Sequence, residues 1–502
     1  MAGDRERHRT RIVGSGVTRR ATARRRRPRV LPWVLLFIVL TAIVIGALYA
    51  PIDAPPRSLG RYLQHRVDGH SAIVADLGDW FAEALTAADR GEARNAALPR
   101  LRIGAQPVPP AAEPAGARLV PVASADEAIA AIQRARPGDA ITFAPGTYRF
   151  DGQNIAVTQP GTAAAPIVVR ARSPGSVVLD MQISEGFVVS APYWRFESLT
   201  IKGRCADDSD CEHAFHVVGG AKHFVARNNA LIDFNAHIKI NGQDQRYPDD
   251  GTVENNTITN SHARQTDRPV TPIDLVAASN WTIRSNTITD FIKAGGDQVS
   301  YGAFAKGGGS DNRFERNVVV CEDLLRGHSG ARVGLSLGGG GSTGPLCRGG
   351  ACNPEQQGGR IESNLIASCS DDGIYVNRGA VSRVADNTLI DTGGIVARFV
   401  ETGAEVEGNL VDGAIRSRDG ALVHASKNLQ TNLASLYVGH HPQRALFRDA
   451  LAWDLTWRAE PPRRAPSAAT SRDLCGSDRP VRPTYGAFED FGDCIVASPR
   501  SP

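Results

Sequence analysis

One asparagine recurs through this 502-residue chain in the same surroundings. The unit is an apolar residue, two variable residues, Asn, then more apolar residues: FVARNNALI, TVENNTIT, TIRSNTIT, RFERNVVV, RIESNLIA, RVADNTLI and EVEGNLV. Its asparagines are Asn228, Asn256, Asn286, Asn317, Asn364, Asn387 and Asn409, spaced 28, 30, 31, 47, 23 and 22 residues apart. A unit of this length, holding several short β-branched runs and a fixed Asn, specifies a solenoid. The chain must bend sharply once per turn, and Asn tolerates the left-handed conformation such a corner needs. Stacked in register, the side chains can hydrogen-bond as a ladder, which makes these asparagines structural rather than ligand-binding. A β-sandwich would not repeat one corner seven times. The long interval of 47 holds a Gly-rich insertion with two cysteines at 338–359.

Upstream, SADEAIAAIQRARPGD at 124–139 opens with a capping box, Ser124 with Glu127, and ends at Pro137-Gly138. Ala128, Ile129, Ile132 and Ala135 form one apolar stripe, so this helix is placed to cover the open N-terminal end of the stack. Short strands then follow without further helix. The expected class is all-β, a solenoid with an N-terminal capping helix, spanning 119–435, with a disulfide-stapled extension over 436–502. Apolar positions at helical spacing from Leu59 to Leu85, broken near Gly69, predict a helical stalk ending in a Pro/Ala linker, together 51–118.

Residues 31–50, LPWVLLFIVLTAIVIGALYA, are a charge-free apolar run of the roughly 20 residues a membrane-crossing helix needs. The first 30 residues carry eleven Arg against Asp4 and Glu6, whereas the whole chain is only +4. The basic character is therefore local, which argues against nucleic acid as a partner. By the positive-inside rule it marks a cytoplasmic tail, 1–30, with the main domain on the extracytoplasmic (periplasmic) side of a bacterial-type inner membrane. A cleavable signal peptide is the alternative, against which stand the length of the apolar run, Leu48 and Pro51. All eight cysteines lie beyond the span, and an even count in an oxidising compartment reads as disulfides. No C-x-x-C pair supports zinc. Short separations suggest Cys205–Cys211, Cys347–Cys352 and Cys475–Cys494, leaving Cys321 and Cys369 to pair across successive turns, though sequence alone admits other connectivities.

The opening S-x-x-E-A-x-x-x-A-x-P-G-D, the following ITFAPGTY, and an ending with DLCGSDRP at 473–480 and GAFE at 486–489 resemble the right-handed parallel β-helix (pectin lyase-like) proteins. The resemblance covers about 119–490 and is nearest to the chondroitinase B-like and alginate lyase-like polysaccharide lyases. It implies a Lys base, an Arg that assists protonation and a calcium that neutralises a uronate carboxylate. Lys306, in YGAFAKGGGSDNRFERN, matches the family Lys. The family's acidic calcium ligands, five and seven residues upstream, are here Tyr301 and Val299. The strand where the family Arg is expected, GLSLGGGG at 334–341, contains none.

Strand side chains alternate between core and solvent. With Phe215, Val217, Ile238, Ile240, Ile273, Leu275, Leu335, Leu337, Ile374 and Val376 inward, the outward column comprises His216, His237, Lys239, Asp274, Ser336, Tyr375 and Asn377, flanked by Lys306 and Arg398. The chain has only six lysines, and two fall here. A Lys with a lowered pKa can take the C5 proton of a uronate, whereas Arg cannot. The candidate catalytic residues are Lys306, Lys239, Arg398 and His237; His216, Asp274, Ser336, Tyr375 and Asn377 are candidate substrate contacts. Asp274, Asp371 and Asp372 are candidate calcium ligands. These residues point to an acidic polysaccharide as partner and to a β-eliminating lyase. A glycosidase or epimerase using Asp274 with Glu322 or Asp371, and a non-catalytic polysaccharide-binding protein, are the alternatives.

Overall fold

The computed structural model describes residues 54–67, 71–91, 96–107, 116–465 and 472–496. The tail at 1–30 and the apolar segment at 31–50 lie outside the described residues. Among the described residues, no helix is long and apolar enough to cross a membrane.

Each coil contributes one strand to each of three parallel sheets of twelve, eleven and ten strands. In one coil, Thr252–Glu254 joins the twelve-stranded sheet, Thr257–Thr259 the eleven-stranded sheet and Ile273–Val276 the ten-stranded sheet. Successive coils stack in register, with Val253 between Ala226 and Ile283, and Leu275 between Ile240 and Ala305. Parallel crossovers of this kind are right-handed, and the architecture is the right-handed parallel β-helix that the repeat anticipates. Alternation puts Val253, Ile258, Ile273 and Leu275 in a fully buried core, as it does all ten residues assigned inward above.

The corner between the twelve- and eleven-stranded sheets carries the ladder, one residue displaced at its start. The rungs are Asn229, Asn256, Asn286, Asn317, Asn364, Asn387, Asn409 and Asn428, each Nδ2 donating to the Oδ1 of the next at 2.9–3.1 Å. Each rung Oδ1 also accepts the backbone N–H of the preceding rung, at 2.9 Å for Asn229 and Asn256. The left-handed conformation belongs to the preceding residue: Asn228, Asn255, Ser285, Arg316, Ser363, Asp386 and Lys427 have φ of 49–56°. Asn228 is thus not a rung. Its side chain instead bonds both backbone groups of Gln106, at 2.7 and 3.0 Å, fastening the incoming chain across the corner.

The cap helix, Ala125–Gln133, buries Ala128 and Ile132 against the first coil. Ser124 Oγ accepts the N–H of Glu127 at 3.1 Å, while the Glu127 carboxylate reaches back to the N–H of Ala123 at 2.7 Å. We expect Ser124→Ala to lower stability by about 1 kcal/mol in a urea titration, the usual cost of a lost N-cap.

The predicted stalk helices are present, at Pro56–Val67 and Ala72–Arg90, but they are not a free stalk. They fold into an antiparallel hairpin, with Gly60 against Ala82 and Gly78 against Val67, and dock on the solenoid. The fully buried Arg57 binds Asp89 at 2.7 Å and Asp391 at 3.1 Å and donates to the Cys369 carbonyl at 2.8 Å. Arg90 adds Asp391 at 2.9 Å and Glu322 at 3.2 Å. Amphipathic spacing reveals a helix but not the surface that receives its buried face.

The C-terminal extension covers the outer side of the eleven-stranded sheet, packing Phe447, Trp453, Leu455, Phe488 and Phe491 on Val318, Val320, Leu365 and Leu410. The twelve-stranded face is laced by Arg–Glu pairs such as Arg227–Glu254 at 2.7 Å and Arg383–Glu362 at 2.9 Å. All four disulfides pair as the spacings suggest: Cys205–Cys211, Cys321–Cys369, Cys347–Cys352 and Cys475–Cys494.

Candidate active site

With one face covered and another laced by ion pairs, the ten-stranded sheet presents the solenoid's remaining broad face. Strand register aligns His216, Lys239, Asp274, Phe304, Ser336 and Tyr375 in one column, each opposite the next. Two residues along, a second row runs Asn241, Val276, Lys306, and further on Asn377 lies opposite Arg398. The structure therefore brings together most of the residues expected on this face, and adds Phe304 at its centre.

Lys239 Nζ lies 2.8 Å from Asp274 Oδ2, so these two charges are spent on each other. Lys306 has no carboxylate within ion-pair distance among the described residues. Its Nζ donates to the Gly340 carbonyl at 3.3 Å and stands 4.4 Å from the centre of the Phe304 ring. Burial pulls its pKa below the usual lysine value; Asp274 opposes that shift and the charge of Lys239 adds to it. The Gly-rich insertion supplies the roof over this amine. Gly338, φ 77°, is where the chain leaves the sheet, and a Cβ there would sit 1.8 Å from the Asn377 carbonyl. Arg348 then anchors the insertion, donating to the Ala277 carbonyl at 2.9 Å and lying 4.1 Å over the Tyr247 ring.

Further along, Asn377 Nδ2 donates to Tyr375 Oη at 2.8 Å, and Arg398 holds Asp419 at 2.5 Å. Burial raises the Tyr375 pKa, so the phenol stays protonated.

Several candidates belong elsewhere. His237 is fully buried, its ring against the Thr259 carbonyl at 3.1 Å, and burial pushes its pKa down to about 3. It cannot reach a substrate, because a position just before the strand does not follow the strand's alternation. Ser336 is also fully buried, its hydroxyl facing the carbonyls of Gly338 at 2.5 Å and Tyr375 at 3.0 Å, so it braces the sheet instead of touching a ligand. The carboxylates proposed for calcium do not converge. Asp274 serves Lys239, Asp371 pairs with Arg61 at 2.7 Å, and Asp372 pairs with Arg416. Glu322 is bound to Arg332 at 2.6 Å and Arg90, and Asp371 faces the helical hairpin, which removes both as partners of Asp274 in a glycosidase pair.

Sequence reasoning missed Glu185 and His213, which join His216 at the N-terminal end of the column. The available signal was the H-x-x-H of HAFH at 213–216. Two residues three apart normally point to opposite faces of a strand. Here the N–H groups of Ala214 and Phe215 both address the His237 carbonyl, a bulge that brings the two histidines to one side.

No family model matches the chain, and no curated protein does. Among solved structures it is similar to pectate lyase Pel9A, at 18% identity over 72% of this chain and 90% of that one, with a TM-score of 0.47. It is also similar to the PL6 polysaccharide lyase Pedsa3628 from Pseudopedobacter saltans, at 14% identity, 65% and 94% coverage and a TM-score of 0.32. A rhamnogalacturonan lyase matches at 13% identity, 60% and 80% coverage and a TM-score of 0.35. The scaffold is a parallel β-helix. What this parallel β-helix can do chemically rests on the amine of Lys306 and the charged groups aligned beside it.

Proposed function

We propose that this protein cleaves an acidic, uronate-containing polysaccharide by β-elimination, with Lys306 as the base. The observation that carries the reading is the state of Lys306: half-buried, without a carboxylate partner among the described residues, and lowered in pKa. A neutral amine there accepts the proton α to the uronate carboxylate at C5. The electron pair forms the C4–C5 double bond, the C4–O bond breaks, and the leaving oxygen takes a proton from water. Lys239, paired with Asp274, and Arg398, paired with Asp419, keep further N–H groups that can donate to carboxylates on neighbouring sugars. Residues 31–50 would tether the domain to the membrane, and protease protection of the intact cell's protein tests that placement.

Full-length protein incubated with alginate, pectate, chondroitin or heparosan should release products with the ultraviolet absorbance of an unsaturated uronate on at least one of them. Because the active form is the deprotonated amine, kcat should rise with pH through the Lys306 pKa, and the midpoint should fall below the ordinary lysine value of roughly 10.4. A second reading, a protein that holds or guides the polymer without cutting it, is favoured by the departures at Tyr301 and Val299 and by the strand Ala331–Leu337, which begins three residues earlier than the sequence suggests and whose one arginine, Arg332, is buried against Glu322. Oligosaccharides that bind yet stay intact after long incubation would select it.

A further inference from the structure

At the N-terminal end of the ten-stranded face, one potential ligand atom from each of Glu185, His213 and His216 lies within 4.8 Å of the others. The hydrogen bonds of the two rings decide which nitrogens carry protons. His213 Nδ1 meets the Ala236 carbonyl at 2.9 Å. A carbonyl only accepts, so Nδ1 bears the hydrogen and Nε2 presents a lone pair. His216 Nε2 meets Asn241 Oδ1 at 2.8 Å, and the Asn241 amide is oriented by its own Nδ2 donating to the Gly242 carbonyl at 3.0 Å. His216 Nε2 is therefore a donor, and in the neutral ring Nδ1 presents the second lone pair.

That Nδ1 lies 2.9 Å from Glu185 Oε1, yet it is buried without a hydrogen bond of acceptable geometry. A lone pair facing a carboxylate oxygen at this distance is repulsive; a proton on Nδ1 or a metal cation near both relieves it, and only the metal also engages the His213 Nε2 lone pair. Glu212 brings a further carboxylate 3.9 Å from His213 Nε2, while the charge of neighbouring Lys239 is already compensated by Asp274.

We propose that Glu185, His213 and His216 bind a divalent transition metal of the zinc class. Two imidazoles and one carboxylate suit such an ion, whereas calcium prefers an all-oxygen shell of six to eight ligands. Both imidazoles have outer partners that fix ring orientation: the Ala236 carbonyl for His213 and Asn241 for His216. Neighbouring ligand atoms around tetrahedral zinc are about 3.4 Å apart at bonds of about 2.1 Å, so the site closes by adjustment of the partly exposed Glu185 carboxylate. Positions left open on the ion would face the outer side of the column, where a sugar carboxylate or hydroxyl could complete the shell. The site stands apart from Lys306 and does not depend on lyase activity.

Full-length protein stripped with a chelator and titrated with Zn(II) should take up one equivalent at these residues. His216→Asn and Glu185→Gln, both partly exposed positions, should each weaken that uptake at least tenfold while leaving the metal-free melting temperature unchanged. His262→Ala, which alters the separate His262–Asp208 pair, should bind as wild type. Co(II) in place of zinc should give visible absorption that His216→Asn removes, and excess Ca(II) should not displace either ion. The proposal is overturned if no stoichiometric uptake occurs, if His216→Asn combined with Glu185→Gln binds unchanged, or if Ca(II) competes equally. It also fails if a persistent proton on His216 Nδ1, seen by NMR in the presence of Zn(II), fills the place assigned to the metal.

Discussion

Lys306→Arg should abolish turnover while leaving polysaccharide binding nearly intact. The substitution keeps the positive charge on the face but replaces a group that can lose its proton with one that cannot near neutral pH. A positioned general base contributes about 100- to 10,000-fold, and the loss should appear in kcat with little change in the dissociation constant of the oligosaccharide. Lys306→Met is the companion: it retains the stem against Phe304 and deletes the amine. Among the described residues the amine makes one hydrogen bond, at 3.3 Å to the Gly340 carbonyl, and one contact with the Phe304 ring, so stability should stay within about 1 kcal/mol. Full activity in Lys306→Arg, followed as product absorbance, would remove Lys306 from the chemistry. A collapse of the melting temperature in Lys306→Met would make it a packing residue instead.

Asn286→Asp should be the most destabilising isosteric change in the solenoid. Asn286 Nδ2 donates to the Val253 carbonyl at 2.9 Å and to Asn317 Oδ1 at 3.0 Å, and its Oδ1 accepts both the backbone N–H and the side chain of Asn256. An aspartate keeps the shape but faces two acceptors with an oxygen, at a fully buried position. An unsatisfied buried polar group costs about 1–3 kcal/mol and an ionised one more. We therefore expect a loss of about 3–5 kcal/mol in equilibrium denaturation. Asn428→Asp, at the half-buried last rung, should lose clearly less. Equal small losses at both positions would show that the ladder is not a principal support of the corner.

The solenoid was legible because its defining features are local: a corner is made by adjacent residues, and strand alternation is set by the pleat. The ten inward residues follow from that rule directly. The same rule fails at His237, which lies before its strand. It fails again at His213, where a bulge against the next coil resets the alternation. At the first rung the sequence pattern points to Asn228, because Asn228 and Asn229 are adjacent and only the stacking partner, Asn256, tells them apart. Glu185, His213 and His216 are gathered by register between coils, which no single segment encodes. The docking of the helical hairpin likewise depends on Arg57 meeting Asp391 across more than 300 residues of sequence.

The uniformity of the ladder also bears on how such a chain can change over evolutionary time. Neighbouring rungs keep Nδ2–Oδ1 distances of 2.9–3.1 Å whether 19 residues separate them, as from Asn409 to Asn428, or 47, as from Asn317 to Asn364. All of that variation is absorbed away from the corner, in loops such as the stapled insertion beside Lys306. Loop-closure cost grows only slowly with length. Lineages could therefore lengthen, shorten or exchange those loops, and with them the walls around a polymer groove, while inheriting the same spine unaltered.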